Sequence, residues 1–99
     1  AERFDYAAGV ASGGCSDIDM VWERHGRFLI IENKRKGEAI NKGQLITLRA
    51  LRALPQITVM VAVGEPPDSI SSFGVLAQPQ IPGDVKALRS QIQLWWDAA

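Results

Sequence analysis

Cysteine and histidine are nearly missing from this chain: Cys15 and His25 are the sole examples in 99 residues. One cysteine excludes an intramolecular disulfide and fits a reducing, cytoplasmic compartment, with Cys15 itself read as an inert thiol. One cysteine with one histidine also excludes a conventional zinc site. Long apolar runs are absent as well. The longest, Ile57 to Val63, is too short to span a bilayer, so no membrane partner is expected. There is no internal repeat, no low-complexity tract and no segment that reads as a signal peptide. A start at Ala1 without methionine fits a trimmed chain or part of a longer protein. Net charge is zero, which argues against general affinity for nucleic acid. What is present has ordinary apolar content and the size of one domain, residues 1–99.

The charge is unevenly spread. From Arg24 to Arg52 the chain is basic (Arg27, Lys34, Arg35, Lys36, Lys42 and Arg49 lie between), against only Glu32 and Glu38. Two apolar segments, Ser16–Arg24 and Arg27–Arg35, flank His25-Gly26 and carry Asp17, Asp19, Glu32 and Lys34. Their β-branched and aromatic content and the glycine predict a hairpin. A two-residue loop pairs Arg24 with Arg27, Trp22 with Leu29, Met20 with Ile31, Asp19 with Glu32 and Asp17 with Lys34. A three-residue loop puts Asp19 and Glu32 on opposite faces. In the first register Ile18, Met20, Trp22, Leu29 and Ile31, ending at Asn33, form a core face. Val21, Phe28 and Ile30, then Asp17, Asp19, Glu32 and Lys34, form the other. Directly opposed carboxylates repel. Either a hard divalent cation lies between them, or this is a solvent-facing pair with Asp17 bridged to Lys34.

Elsewhere, residues 1–8 read as a short helix and Val10 as an outer strand. Asn41 is placed to cap a helix from Lys42 to Leu54, stopped by Pro55. Its apolar face holds Leu45, Leu48, Leu51 and Leu54 with Gln44, and Lys42, Arg49 and Arg52 lie on the opposite side. Ile57–Val63 reads as a central buried strand, Glu65–Asp68 as a loop, Ile70–Ala77 as a strand and Gln78–Gly83 as irregular. Asp84 is placed to cap a final helix with Val85, Leu88, Ile92 and Trp95 on its apolar face. Trp95 and Trp96 then point about a hundred degrees apart; a packed terminal helix is the favoured reading, with base stacking or a dimer interface the alternative for one of them. A strand–helix–strand crossover over 28–63 predicts parallel pairing, hence an α/β or α+β layer with a mixed central sheet flanked by helices.

Asp19 followed by Glu32-Asn-Lys34 after an apolar run resembles the PD-(D/E)XK nuclease superfamily. The likeness covers roughly residues 12–63. Spacing is similar to archaeal Holliday-junction resolvases, and Gln44 opening the next helix is similar to VRR-NUC domains of phage proteins and repair nucleases. The pattern departs at the Pro-Asp pair, here Ser16-Asp17 or Ile18-Asp19, and at Asn33, where the middle residue is usually apolar. The hairpin register favours Asp19 over Asp17. The resemblance implies a restriction-endonuclease-like core and Mg²⁺- or Mn²⁺-dependent hydrolysis of DNA phosphodiesters. Asp19, Glu32 and the Asn33 carbonyl would be metal ligands, and Lys34 would position water or stabilise developing charge. Asp17 would support the metal or tether Lys34, and Gln44 would position Lys34 or a phosphate. Lys36, Lys42, Arg49 and Arg52 would meet backbone phosphates. Glu2 or Asp5 would reach the site if the first helix folds over it, and His25 lies at the wrong end of the hairpin for a general base. Branched DNA would require a homodimer, since one chain supplies one site. The alternative is an inactive nuclease-fold module that binds DNA or protein.

Overall fold

His25 and Gly26 both adopt positive φ, 53° and 79°, as a two-residue type I′ hairpin turn demands. The Glu23 carboxylate braces it by accepting from Gly26 N at 2.9 Å. In the computed structural model, which describes residues 18–65 and 69–99, this turn joins β1 (Met20–Arg24) to β2 (Arg27–Lys34). The expected register holds from Arg24↔Arg27 to Met20↔Ile31. The proposed helix over residues 1–8 and the strand around Val10 lie outside the described residues.

After β2 the chain crosses through α1 (Lys42–Arg52) to β3 (Ile57–Glu65), which pairs parallel with β2. It returns antiparallel through β4 (Ser69–Val75) and β5 (Ile81–Pro82), and ends with α2 (Val85–Ala98). The result is a small α+β domain with one mixed sheet in the order β1-β2-β3-β4-β5.

Both helices start where the capping residues direct. Asn41 Oδ1 accepts from Gly43 N and Gln44 N, and Asp84 Oδ1 from Ala87 N, each satisfying first-turn amides that a helix leaves open. Each helix covers one face of the sheet. Leu48 of α1 packs on Ile30, Val59, Val61 and Leu76. Leu88 of α2 packs on Leu29, Ile31, Met60, Ala62 and Phe73. Coverage on both sides is why β3 reads as a continuous apolar run. Neither helix is long and apolar enough to cross a membrane.

Five expectations change. α1 ends at Arg52, short of Leu54, which is 45 % exposed instead of lying on the buried face. Glu65 ends β3 instead of opening a loop. β4 stops at Val75, because the chain turns through Ala77 at φ 74°. The supposedly irregular Gln78–Gly83 contains β5, whose Pro82 is tolerated because β5 is an edge strand. Ile18 and Met20, assigned to the core face, are 45 % and 37 % exposed. Leu88 packs against the central strands, whereas β1 lies at the edge of the sheet and is left with a cleft beside it.

Candidate functional site

Glu32 is 6 % exposed, the one buried charged residue among those described. Strand alternation puts it on the α1 side of the sheet, one pleat beyond Ile30 and one before Lys34. Burying a carboxylate is unfavourable unless it is paired or hydrogen-bonded. α1 supplies a donor: Gln44 Nε2 bonds Glu32 Oε1 at 2.5 Å. Asn41 fixes the start of this helix, and so the position from which Gln44 reaches. Lys34, on the same face, is half-buried.

Asp19 arrives differently. Continued one step, the register sets it opposite Glu32, but the ladder stops at Met20. Its Oδ2 instead accepts from Asn33 N at 2.8 Å. Strand geometry explains this. Phe28 N donates to Gln56 O just before β3, so even-numbered residues of β2 turn their backbone polar groups toward β3 and odd-numbered ones toward β1. Asn33 N–H and C=O therefore both face the β1 edge. There Asp19 takes the place of a missing strand carbonyl. The Asp19 carboxylate and the Asn33 carbonyl share that edge, adjacent to the Glu32–Lys34 face. Among the described residues no group of three or more carboxylates, histidines or cysteines is gathered where it could hold a metal ion. Carboxylate and carbonyl oxygens are the donor type that a hard divalent cation takes.

These groups stand at the carboxyl ends of the parallel strands β2 and β3, with the N-terminus of α1 above them. Open sheets bind ligands at such ends, and helix N-termini favour anions. The first turn of α1 contains no acidic residue.

The basic residues divide. Lys36 and Lys42 are exposed and flank this end of the sheet, in the turn after β2 and at the start of α1. Arg49 and Arg52 lie about 10–15 Å further along the helix axis, and Arg52 Nη1 is spent on Leu76 O at 3.1 Å. Arg35 pairs with Glu65 at 3.6 Å, both well exposed, and Glu65 is a carboxylate at the same sheet end that the loop assignment had hidden. Arg24 and His25 sit at the hairpin tip and bond Trp96 O and Ala99 O. Asp17, Glu2, Asp5 and Cys15 lie outside the described residues.

Comparison with protein-family models, with curated proteins and with solved structures gives no match for this chain.

Proposed function

We propose that this chain is a metal-dependent deoxyribonuclease of the PD-(D/E)XK type, with a restriction-endonuclease-like core and phosphodiesters as substrate. The observation that carries the reading is the buried Glu32 carboxylate bonded by Gln44, with Lys34 one pleat away. Element order supports it: a hairpin, a crossover helix, then a strand parallel to the second hairpin strand.

In this reading Asp19, Glu32 and the Asn33 carbonyl hold Mg²⁺ or Mn²⁺. When bound, the ion supplies a nucleophilic water and Lewis-acid stabilisation of the phosphate. Gln44 keeps the Glu32 carboxylate in one orientation. Asn33 N–H does the same for Asp19. Lys34 presents an ammonium donor to water or to the charge that develops on phosphate oxygen. Lys36, Lys42 and the first amides of α1 attract the flanking phosphates without reading sequence. Action on branched DNA calls for two sites, hence a homodimer.

Glu32→Gln and Lys34→Ala test it. Each is expected to lower Mg²⁺-dependent cleavage about a hundred-fold or more, while circular dichroism shows a folded chain. Undiminished cleavage by both purified variants rejects the reading. A panel of flap, junction, nicked and duplex substrates identifies the preferred DNA.

A further inference from the structure

The cleft between β1 and α2 lies on the face of the sheet opposite Glu32 and Lys34, so the chemistry above leaves it unassigned. Its volume is about 660 Å³, inside the roughly 300–1,000 Å³ of small-molecule sites. The walls are apolar: Met20 and Trp22 from β1, Ile70 from β4, and Leu88 and Ile92 from α2. Polar side chains interrupt them at Asp19 and Asn33, by the sheet end, and at Arg89 on the helix. A mostly apolar pocket with a few polar groups is the usual form of a site for a small organic ligand.

The cleft holds one charge of each sign, and these two are not joined to each other. The one ion pair among the described residues links Arg35 to Glu65. Asp19 Oδ2 accepts from Asn33 N, and a carboxylate has further acceptor sites. Arg89 is exposed, and among the described residues its guanidinium makes no hydrogen bond. Asn33 Oδ1 is buried and has no hydrogen-bond partner among the described residues. Native proteins leave few such atoms. The Asn33 side chain follows Leu29 and Ile31 on the α2 face, where an apolar residue would prolong the core. Its amide turns about a broad terminal torsion, so a donor in the cleft can engage Oδ1.

A ligand that meets all of these groups carries both charges and an apolar body. An ammonium has three donors, for the Asp19 carboxylate and Asn33 Oδ1. A carboxylate is the partner that the guanidinium fork of Arg89 matches. An apolar side chain lies against Trp22, Leu88 and Ile92. We propose that this cleft binds a free α-amino acid with an apolar or aromatic side chain. A purely cationic ligand is repelled by Arg89 and a purely anionic one by Asp19, so neither suits the pair. The assignment stands apart from the nuclease reading.

The test is isothermal titration calorimetry of the whole chain, in EDTA, with L-phenylalanine and its truncated analogues. Phenethylamine lacks the carboxylate, hydrocinnamate lacks the ammonium, and glycine lacks the apolar body. Phenylalanine is expected to bind with Kd below about 1 mM, and each analogue about ten-fold more weakly or worse. Arg89→Gln should abolish the preference for phenylalanine over phenethylamine, and Asp19→Asn the preference over hydrocinnamate. Both residues are exposed, so both variants keep the fold. Asn33→Leu should weaken phenylalanine binding about ten-fold. A Kd above about 1 mM, or an analogue that matches phenylalanine, overturns the proposal. Unaltered binding by both Arg89→Gln and Asp19→Asn overturns it as well, because the amino acid then sits elsewhere.

Discussion

At the closed end of the β1–β2 hairpin, Arg24 Nη1 donates to Trp96 O at 2.7 Å, His25 Nδ1 lies 3.1 Å from Ala99 O, and Glu23 accepts from Gly26 N. At the open end, Gln44 donates to a buried Glu32, and Asp19 accepts from Asn33 N. Each polar group at the tip answers a folding need. The last carbonyls of a helix lack intrahelical partners and favour cationic donors, and a tight turn leaves an amide to be bonded. The open end contains a charge the fold does not require. An apolar residue after Ile30 would extend the core cluster under Leu48, whereas Glu32 has to be desolvated and then held. Buried charge of this kind is weak evidence for stability and good evidence for a site.

The contrast is broken most severely at Glu32 itself. The Glu32→Gln variant, expected under the nuclease reading to lose cleavage, should keep or raise its urea midpoint, because an uncharged amide of equal size removes the desolvation penalty. A fall of more than about 2 kcal/mol in unfolding free energy would make Glu32 a structural residue and dissolve the distinction between the two ends. Gln44→Ala comes next. It leaves a buried carboxylate without that donor and should cost about 1–3 kcal/mol. In the Glu32→Gln background the same change should cost less. A double-mutant cycle in urea measures the coupling, and a value near zero would separate Gln44 from the site.

How far these two ends were legible in the sequence follows from how local their causes are. The His25-Gly26 turn, the caps at Asn41 and Asp84, and the apolar run of β3 each depend on a few adjacent residues, and each appears where the residues point. β5 has two residues and a proline, so only its pairing with Ser72 and Phe73 defines it. The register holds from Arg24↔Arg27 to Met20↔Ile31 and stops short of Asp19, and a ladder's end is not written in its register. The carboxylate turned to the Asn33 amide because strand pairing had already ceased. Arg24 looked like one more cation of a basic stretch. Its partner is 72 residues away, a separation across which no spacing rule operates. The same distance concealed the cleft, whose two walls come from β1 and α2.

Arg24→Ala gives the smallest effect and sharpens the contrast from the other side. It removes one hydrogen bond to a helix-terminal carbonyl and the guanidinium over Trp96, both solvent-exposed. A loss of about 1–2 kcal/mol is expected, equivalent to a fall in Tm of roughly 4–16 °C for a domain of this size. Cleavage of duplex DNA at a temperature where the variant is folded should be unchanged, because the tip lies at the opposite end of β2 from Glu32 and Lys34. Should duplex cleavage drop as well, the two ends of the hairpin are coupled through α2, and the division of labour drawn between them fails.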